Sequence, residues 1–430
     1  MTEIGLYRGR AAGYTSWRMG ALMTCLGVPL LFLPKINLLG VSGETAGVRI
    51  DDFLLAITLG LLACSYMALR RAIFSYAEAA LLLFLFLALL SNIIYGGNPL
   101  YPLRLVEYFA FFYIGIHAAR WVSLKKVLLA FLYLNAGLII LQYMGFVGAF
   151  ALGTYSMGTP IGIGSGNWEI GLLLNIVFIS LAFGKLCKPS VACIYGLVIL
   201  GLHLVVGSRT PAATLLIFYG IFILGFFKKN PLVIVIIGFL IGIITTVIYD
   251  SLMDMVSESY LFSRMGDISL ASLTTVIEKM WATIPPASSF SKYKYAEEIF
   301  NAIEGSDLSL IFRLEKVIGA IKYFYDSGPM TWLIGTGPGR YGTAMDSGNV
   351  RLFVENGALG FIAFFLILIF SLRKFSARWH LISVFIVSMF TLDTYLAYKI
   401  MSMLFFIAGI STGYNVLYVI REKEHPVPAA

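Results

Sequence analysis

RLEKVIGAIKYFYDSGPMTWLIGTGPGRYGTAMDSGNVRLFVENG, residues 313–357, is the only long polar passage in an otherwise apolar chain, and it runs directly into the apolar run Ala358–Leu372. A passage of that character, joined to apolar chain, has to sit in water at a membrane face. The fold therefore has two parts to explain: a helical body in lipid and a polar segment at its surface.

The rest of the chain requires the same solvent. Hydrophobic residues make up 59% of 430 and charged residues 13%, with a mean hydropathy of +0.87, so a soluble core would leave far too much apolar surface in water. The expected class is an all-α polytopic membrane protein. The formal charge of +8 would raise the question of nucleic acid in a soluble protein. Here the charges fall mostly in short loops, and no nucleic-acid partner is expected. Cys25, Cys64, Cys187 and Cys193 lie in or beside apolar runs without CxxC spacing, which supports neither a disulfide framework nor a zinc site. The start, MTEIGLYRGRAAGYTSWRMG, has basic residues before an apolar run but no clear small-residue cleavage site, so a retained first span is expected.

Apolar runs of spanning length lie near 19–34, 51–69, 76–95, 101–118, 126–147, 168–184, 190–207, 211–227, 231–250, 357–372, 380–397 and 400–419. The last two are separated by a crowded turn holding Asp393, Tyr395 and Lys399. About twelve transmembrane helices are thus expected. Alternate connections carry Arg8/Arg10/Arg18, Arg70/Arg71, Arg120/Lys125/Lys126, Lys185/Lys188, Lys228/Lys229, Arg373/Lys374/Arg378 and Arg421/Lys423, and the intervening short loops hold only Lys35, Arg49, Arg209 and Lys399. Positive charge accumulates on the cytoplasmic side, so both termini are expected there and the segment 251–356 outside, in the periplasm of a Gram-negative cell. The resulting organisation is 1–250 with nine helices, 251–356 as the outward loop, and 357–430 with three helices and a tail. Within the loop, Ile311, Leu314, Val317, Ile318, Ile321 and Phe324 recur at helical spacing, which predicts an amphipathic helix. Shorter helices are expected around Ala271–Trp281 and Lys292–Ile303, separated by Pro285–Pro286.

Ionisable groups at membrane depth need a reason to be there. Arg104 and Glu107 stand three apart on one helix face, either as a local ion pair or with Arg104 turned to an anion in a water-filled cavity. Arg209, in GSRTPA, stands at an outward turn just before Pro211, so an anion there would meet a guanidinium and a helix N-terminus together; an interfacial snorkelling Arg is the plain alternative. The loop adds Arg264, Arg313, Arg340 and Arg351, whose paired donors suit a pyrophosphate, though most loop arginines are simply solvated. Gly335–Gly342 reads GTGPGRYG. No βαβ unit surrounds it, so it is expected to be a glycine turn that lets backbone, at Gly337 and Gly339, approach a substrate. Asp346 and Glu355 flank the path into the next span, and a carboxylate there is able to take a proton from an attacking hydroxyl. Glu355 and Glu169 also suit the N-terminal ends of helices. No metal site is expected, since none of the four histidines falls in the outward loop.

These residues resemble the O-antigen polymerase and O-antigen ligase superfamily of bacterial envelope glycosyltransferases. The likeness lies in RIDDFLL (Arg49–Leu55), GSGNWEIG (Gly164–Gly171), GSRT (Gly207–Thr210), Arg313 heading a helix, GTGPGRYG, and DSGNVRLFVENGALGF leading into a late span. What the resemblance implies is a GT-C-like helical glycosyltransferase in the inner membrane, needing no cofactor, with a periplasm-facing site for glycans on undecaprenyl pyrophosphate. Polymerases of the family pass the growing chain to the non-reducing end of an incoming lipid-linked repeat unit, and a chain-length regulator is an expected partner beside the membrane lipid. Ligases pass the finished chain to lipid A core and resemble one another in a His, then Asn, Ser or Gln, then nine residues, then a small residue. This chain has Asp346–Ser347 and Gly357 in that frame, so the His is absent and the polymerase reading is favoured. Under that reading Arg209 and Arg313 stabilise the leaving pyrophosphate, with Arg104, Arg264, Arg340, Gly337, Gly339 and Glu169 around the substrate and Asp346 as base. A lipid-linked glycan flippase and an assembly subunit of an export machine are the readings from other classes. Transporters concentrate charge near the bilayer midplane, whereas the charges here gather at the outer face and in one loop.

Overall fold

The computed structural model describes residues 14–34, 37–39, 48–49, some positions between 52 and 60, and 75–149, 160–227, 270–286, 308–341 and 345–424. The expected span 231–250, most of 51–69, the helix expected at Lys292–Ile303 and Arg264 lie outside the described residues. The chain forms helices α1 (Tyr14–Leu30), α2 (Tyr76–Tyr95), α3 (Leu100–Ala118), α4 (Leu124–Tyr143), α5 (Asn167–Ala182), α6 (Pro189–Val206), α7 (Arg209–Phe227), α8 (Leu270–Thr283), α9 (Leu308–Asp326), α10 (Pro329–Ile334), α11 (Gly348–Leu372), α12 (Arg378–Met389) and α13 (Tyr398–Glu424). A small antiparallel pair, β1 (Asn37–Leu39) and β2 (Val48–Arg49), follows α1. Among the described residues, α2, α4, α6 and α11 are long and apolar enough to cross a membrane. The fold is that of a helical membrane protein.

Local chemistry sets several boundaries. Ser75 and Glu78 form a capping box that starts α2, and Gly96 and Gly97, both at positive φ, end it. Pro189 opens α6 at a position where its missing N–H costs nothing, and Gly207 closes it in the left-handed region (φ 68°). Helix α9 covers the segment expected from its apolar spacing. Its Ile311 and Ile318 pack with Met280 and Ile284 of the α8 segment, and Lys322 donates to the free carbonyls of Trp281 and Ile284 at the end of α8.

Helix α5 is the centre of the body, with every side chain from Glu169 to Ala182 buried. Helices α3 and α13 run side by side, and their backbones approach at Gly115, Gly409 and Gly413, where a Cβ would meet Phe406, Phe112 and Ile116. Small residues at such a crossing replace a hydrophobic driving force that lipid cannot supply. Tyr108 Oη donates to Leu396 O at one end of this pair and Tyr414 Oη to Val122 O at the other, so the two helices are parallel.

Two departures from the sequence expectation shape the site. The late run 357–372 is the second half of a longer helix, α11, interrupted at Gly357 (φ 67°, ψ −178°). The run 380–397 is helical only to Met389, and 390–397 is a turn containing a short 3₁₀ segment, Thr394–Leu396. The reason is polar: the carboxylate of Asp393 is turned to groups on another element and cannot lie against lipid.

Candidate functional site

The ends of the helices sort the polar residues into two groups. Ser376 Oγ bonds Gly184 O, the His380 and Phe183 rings stack with centroids 4.0 Å apart, and Gly20 lies against His117 and Trp121. Those contacts bring together the turns that carry Arg120, Lys125, Lys126, Lys185, Lys188, Arg373, Lys374 and Arg378. At the opposite end the C-terminal end of α2, the starts of α3 and α11, the glycine turn and the turn at Asp393 meet, while the start of α7 packs on α5. Arg104, Arg313, Arg340 and Asp346 belong to that meeting point, and Glu169 and Arg209 stand at the starts of α5 and α7.

At its centre is Arg351, in the first half of α11 and fully buried. Its Nε lies 3.1 Å from Glu355 Oε1 and its Nη1 2.8 Å from Asp393 Oδ2. Tyr395 Oη donates to Glu355 Oε2 at 3.2 Å, and the backbone N–H of Met345 donates to Asp393 Oδ2 at 2.7 Å. The guanidinium lies 5.4 Å over the ring of Tyr101, which has Arg104 6.0 Å away as well. One buried cation thus faces the buried carboxylate of Glu355 and the partly buried one of Asp393, whose Oδ1 has no hydrogen-bond partner among the described residues. Such a group survives burial only because each charge is paired and hydrogen-bonded.

Asp346 lies one residue from that network, in the left-handed region (φ 56°) that Asp tolerates better than most residues. Its Oδ2 is 3.5 Å from Nε of Arg313, and both side chains remain accessible, at 36% and 47%. Burial raises the Asp346 carboxyl above its ordinary value, the Arg313 guanidinium opposes that rise and Asp393 adds to it. A carboxylate that is accessible, less acidic than usual and backed by an arginine suits a proton acceptor.

The glycine turn has a structural use. The break at Gly357 frees the carbonyls of Val354 and Glu355, and the N–H groups of Thr336 and Gly337 take them at 2.9 and 3.1 Å. Gly335 abuts the backbone of Glu355 and Asn356, Gly337 abuts Gly96, and Gly339 abuts the ring of Tyr101. Each leaves no room for a Cβ, and all three have positive φ. The close approach expected of Gly337 and Gly339 is thus an approach to the protein's own backbone. Arg340 Nη1 donates to Tyr95 O and Thr336 O at 2.6 and 3.1 Å, its Nη2 to Tyr323 Oη at 2.9 Å, and its guanidinium lies 4.9 Å from the Tyr323 ring centroid, which pins the turn between α2 and α9.

Of the other expected residues, Glu169 accepts from the N–H and hydroxyl of Ser165 at 2.7 and 2.6 Å, an arrangement that closes the start of α5. Arg209 is the first residue of α7. A narrow aromatic crevice with a cavity volume of only about 10 Å³ lies beside the network between Phe84, Tyr101, Pro102, Tyr108 and Tyr395, with Glu355 and Asn356 in its wall. Among the described residues no cluster of His, Cys, Asp and Glu has the make-up of a metal site. Asp393 and Tyr395 were legible in the sequence only as polar crowding between two apolar runs, and nothing in their spacing pointed to Arg351. No protein-family model and no curated protein matches this chain.

Proposed function

We propose that this protein is a membrane glycosyltransferase that polymerises lipid-linked oligosaccharide repeat units. It takes the growing glycan from undecaprenyl pyrophosphate and adds it to the non-reducing end of the next lipid-linked unit. The observation that carries the reading is the accessible Arg313–Asp346 pair standing over the buried Arg351–Glu355–Asp393–Tyr395 network, at the end of the bundle away from the lysine- and arginine-rich turns. The motif resemblance supports it, as does the Asp in the frame where ligases carry His.

In the proposed reaction an acceptor sugar hydroxyl attacks the anomeric carbon of the donor glycan from the face opposite the pyrophosphate. The new C–O bond forms as the C–O bond to pyrophosphate breaks, the electron pair leaves with the pyrophosphate, and the configuration inverts. Asp346 accepts the hydroxyl proton. Arg313 and Arg209 take up the charge that develops on the leaving group, an electrostatic task that rigidly held guanidinium donors perform well. Arg351 touches Asp393 and Glu355 and holds the floor beneath Asp346. The finer architecture belongs to the same proposal: about twelve spans in a bacterial inner membrane, both termini cytoplasmic, and the site open to the periplasm.

The test is reconstitution with a purified undecaprenyl-pyrophosphate-linked repeat unit. Lipid-linked glycans of increasing length are expected from the wild type, with Asp346→Asn and Arg313→Ala reducing extension by about 10²-fold or more. Transfer only to lipid A core would make the protein a ligase, and movement across the bilayer without extension would make it a flippase; either result overturns the proposal.

A further inference from the structure

Away from the Arg351 network, both ring nitrogens of the buried His203 are hydrogen-bonded. It is fully buried near the end of α6, with Nδ1 2.5 Å from Ser208 Oγ and Nε2 2.9 Å from Asn175 Oδ1 on α5. Asn175 is also fully buried, and its Nδ2 donates to Pro211 O at 2.8 Å. A proline carbonyl only accepts, so the amide orientation is fixed and Asn175 Oδ1 must face the ring. His203 Nε2 therefore carries the hydrogen, and Nδ1 accepts from the Ser208 hydroxyl.

The bonded residues Ser208 and Pro211 flank Arg209. The turn between α6 and α7 is only Gly207 and Ser208, and the Gly207 and Ser208 N–H groups both reach back to His203 O at 2.9 and 3.4 Å. From the other side the turn presses on Gly171 of α5, where a Cβ would meet both Ser208 and Pro211. Three polar side chains buried at this depth carry a desolvation cost that an apolar trio of the same volume would avoid. What they add is a fixed position for the start of α7.

We infer that His203 is a positioning residue for Arg209, acting through Ser208 and, by way of Asn175, through Pro211. The inference rests on the reading that Arg209 binds pyrophosphate. A guanidinium on a turn held from both sides loses less freedom when the anion arrives, so the network raises affinity without touching the ligand.

The experiment is a double-mutant cycle on the full chain in nanodiscs, with the dissociation constant for undecaprenyl pyrophosphate as the readout. Arg209→Ala is expected to weaken binding strongly, and His203→Leu about tenfold. His203→Asn, whose amide oxygen is able to accept from Ser208, should recover most of that loss, which a general loss of packing would not allow. In the Arg209→Ala background His203→Leu should change nothing further. Should His203→Leu not insert and fold, Ser208→Ala enters the same cycle. Additive effects, or unchanged affinity in the His203 and Ser208 variants, overturn the inference while leaving Arg209 as the ligand. If Arg209→Ala itself binds normally, the reading of Arg209 fails and the inference falls with it.

Discussion

At the scale of single residues, Arg351 is the position on which most depends. It neutralises part of two neighbouring carboxylates, so Arg351→Ala leaves the buried Glu355 and the partly buried Asp393 with no cation between them. Breaking a buried pair in this way costs about 3–5 kcal/mol. The expected outcome is a large drop in the thermal unfolding midpoint in detergent, against a smaller one for Asp393→Asn, which removes charge from the side already in excess. Equal, small shifts for both would mean that the network is wet and unimportant to the fold. Asp346 carries a separate expectation. Its carboxyl is raised by burial and by Asp393, and a base works only when ionised, so activity should fall as pH drops through a value above the ordinary aspartate value of about 4. Arg313 opposes the rise, so Arg313→Gln should move that acid limb upward. A limb that stays in place would identify another group as the base. Stability runs the opposite way: the native state holds this proton more tightly than the unfolded chain, so Asp346 lowers stability as pH rises through the window.

At the scale of elements, the break in α11 is the feature to test. Gly357 occupies a region of φ and ψ that is essentially reserved for glycine, with the backbone of Leu333 and Gly335 against it. Gly357→Ala should cost at least about 1–3 kcal/mol from the backbone alone. It should also weaken the bonds from Thr336 and Gly337 that cover the broken end, loosening the turn that Arg340 pins. Limited proteolysis of the segment between α10 and α11 is the readout, with faster cleavage expected for the variant and unchanged cleavage counting against the account. This element also marks where the sequence could be read and where it could not. Among the described residues helices lie over most of the expected apolar runs because burial in lipid needs little beyond length and composition, and α2 matches its expected limits, 76–95. The amphipathic α9 was legible from the recurrence of Ile311, Ile318 and Phe324. The helix limits near Gly357 and Met389 were not, since 348–356 is helical although it carries Arg351, Glu355 and Asn356, and past Met389 the chain still offers Phe390 and Leu392. Nor was the network, because Arg351 and Asp393 are 42 residues apart and only the fold joins them. The glycine turn was recognised as a close approach, but its partner, the end of α11, had no signature in the motif itself.

At the scale of the whole molecule, the separation of charge between the two ends predicts an orientation. The turns carrying Arg120, Lys125, Lys126, Lys185, Lys188, Arg373 and Lys374 meet at one end, and such clusters remain on the cytoplasmic side during insertion. The orientation proposed above therefore has the end with Arg313 and Asp346 facing outward. Single cysteines placed in a cysteine-free background test this directly: Asp326→Cys at the exposed end of α9 and Lys374→Cys in the turn after α11. In intact cells a membrane-impermeant maleimide should label the first and spare the second, and permeabilising the membrane should make both react. The two ends differ in what they do as well as in charge. Arg120, Lys125, Lys126, Lys185, Lys188 and Lys374 at the first end are exposed, whereas at the other end Arg351 is fully buried and Arg340 is bonded to backbone carbonyls, so these two arginines hold shape. Reversed labelling would put the Arg313–Asp346 pair in the cytoplasm, on the wrong side for glycans that have already been carried across the membrane, and would exclude a periplasmic polymerase at a single step.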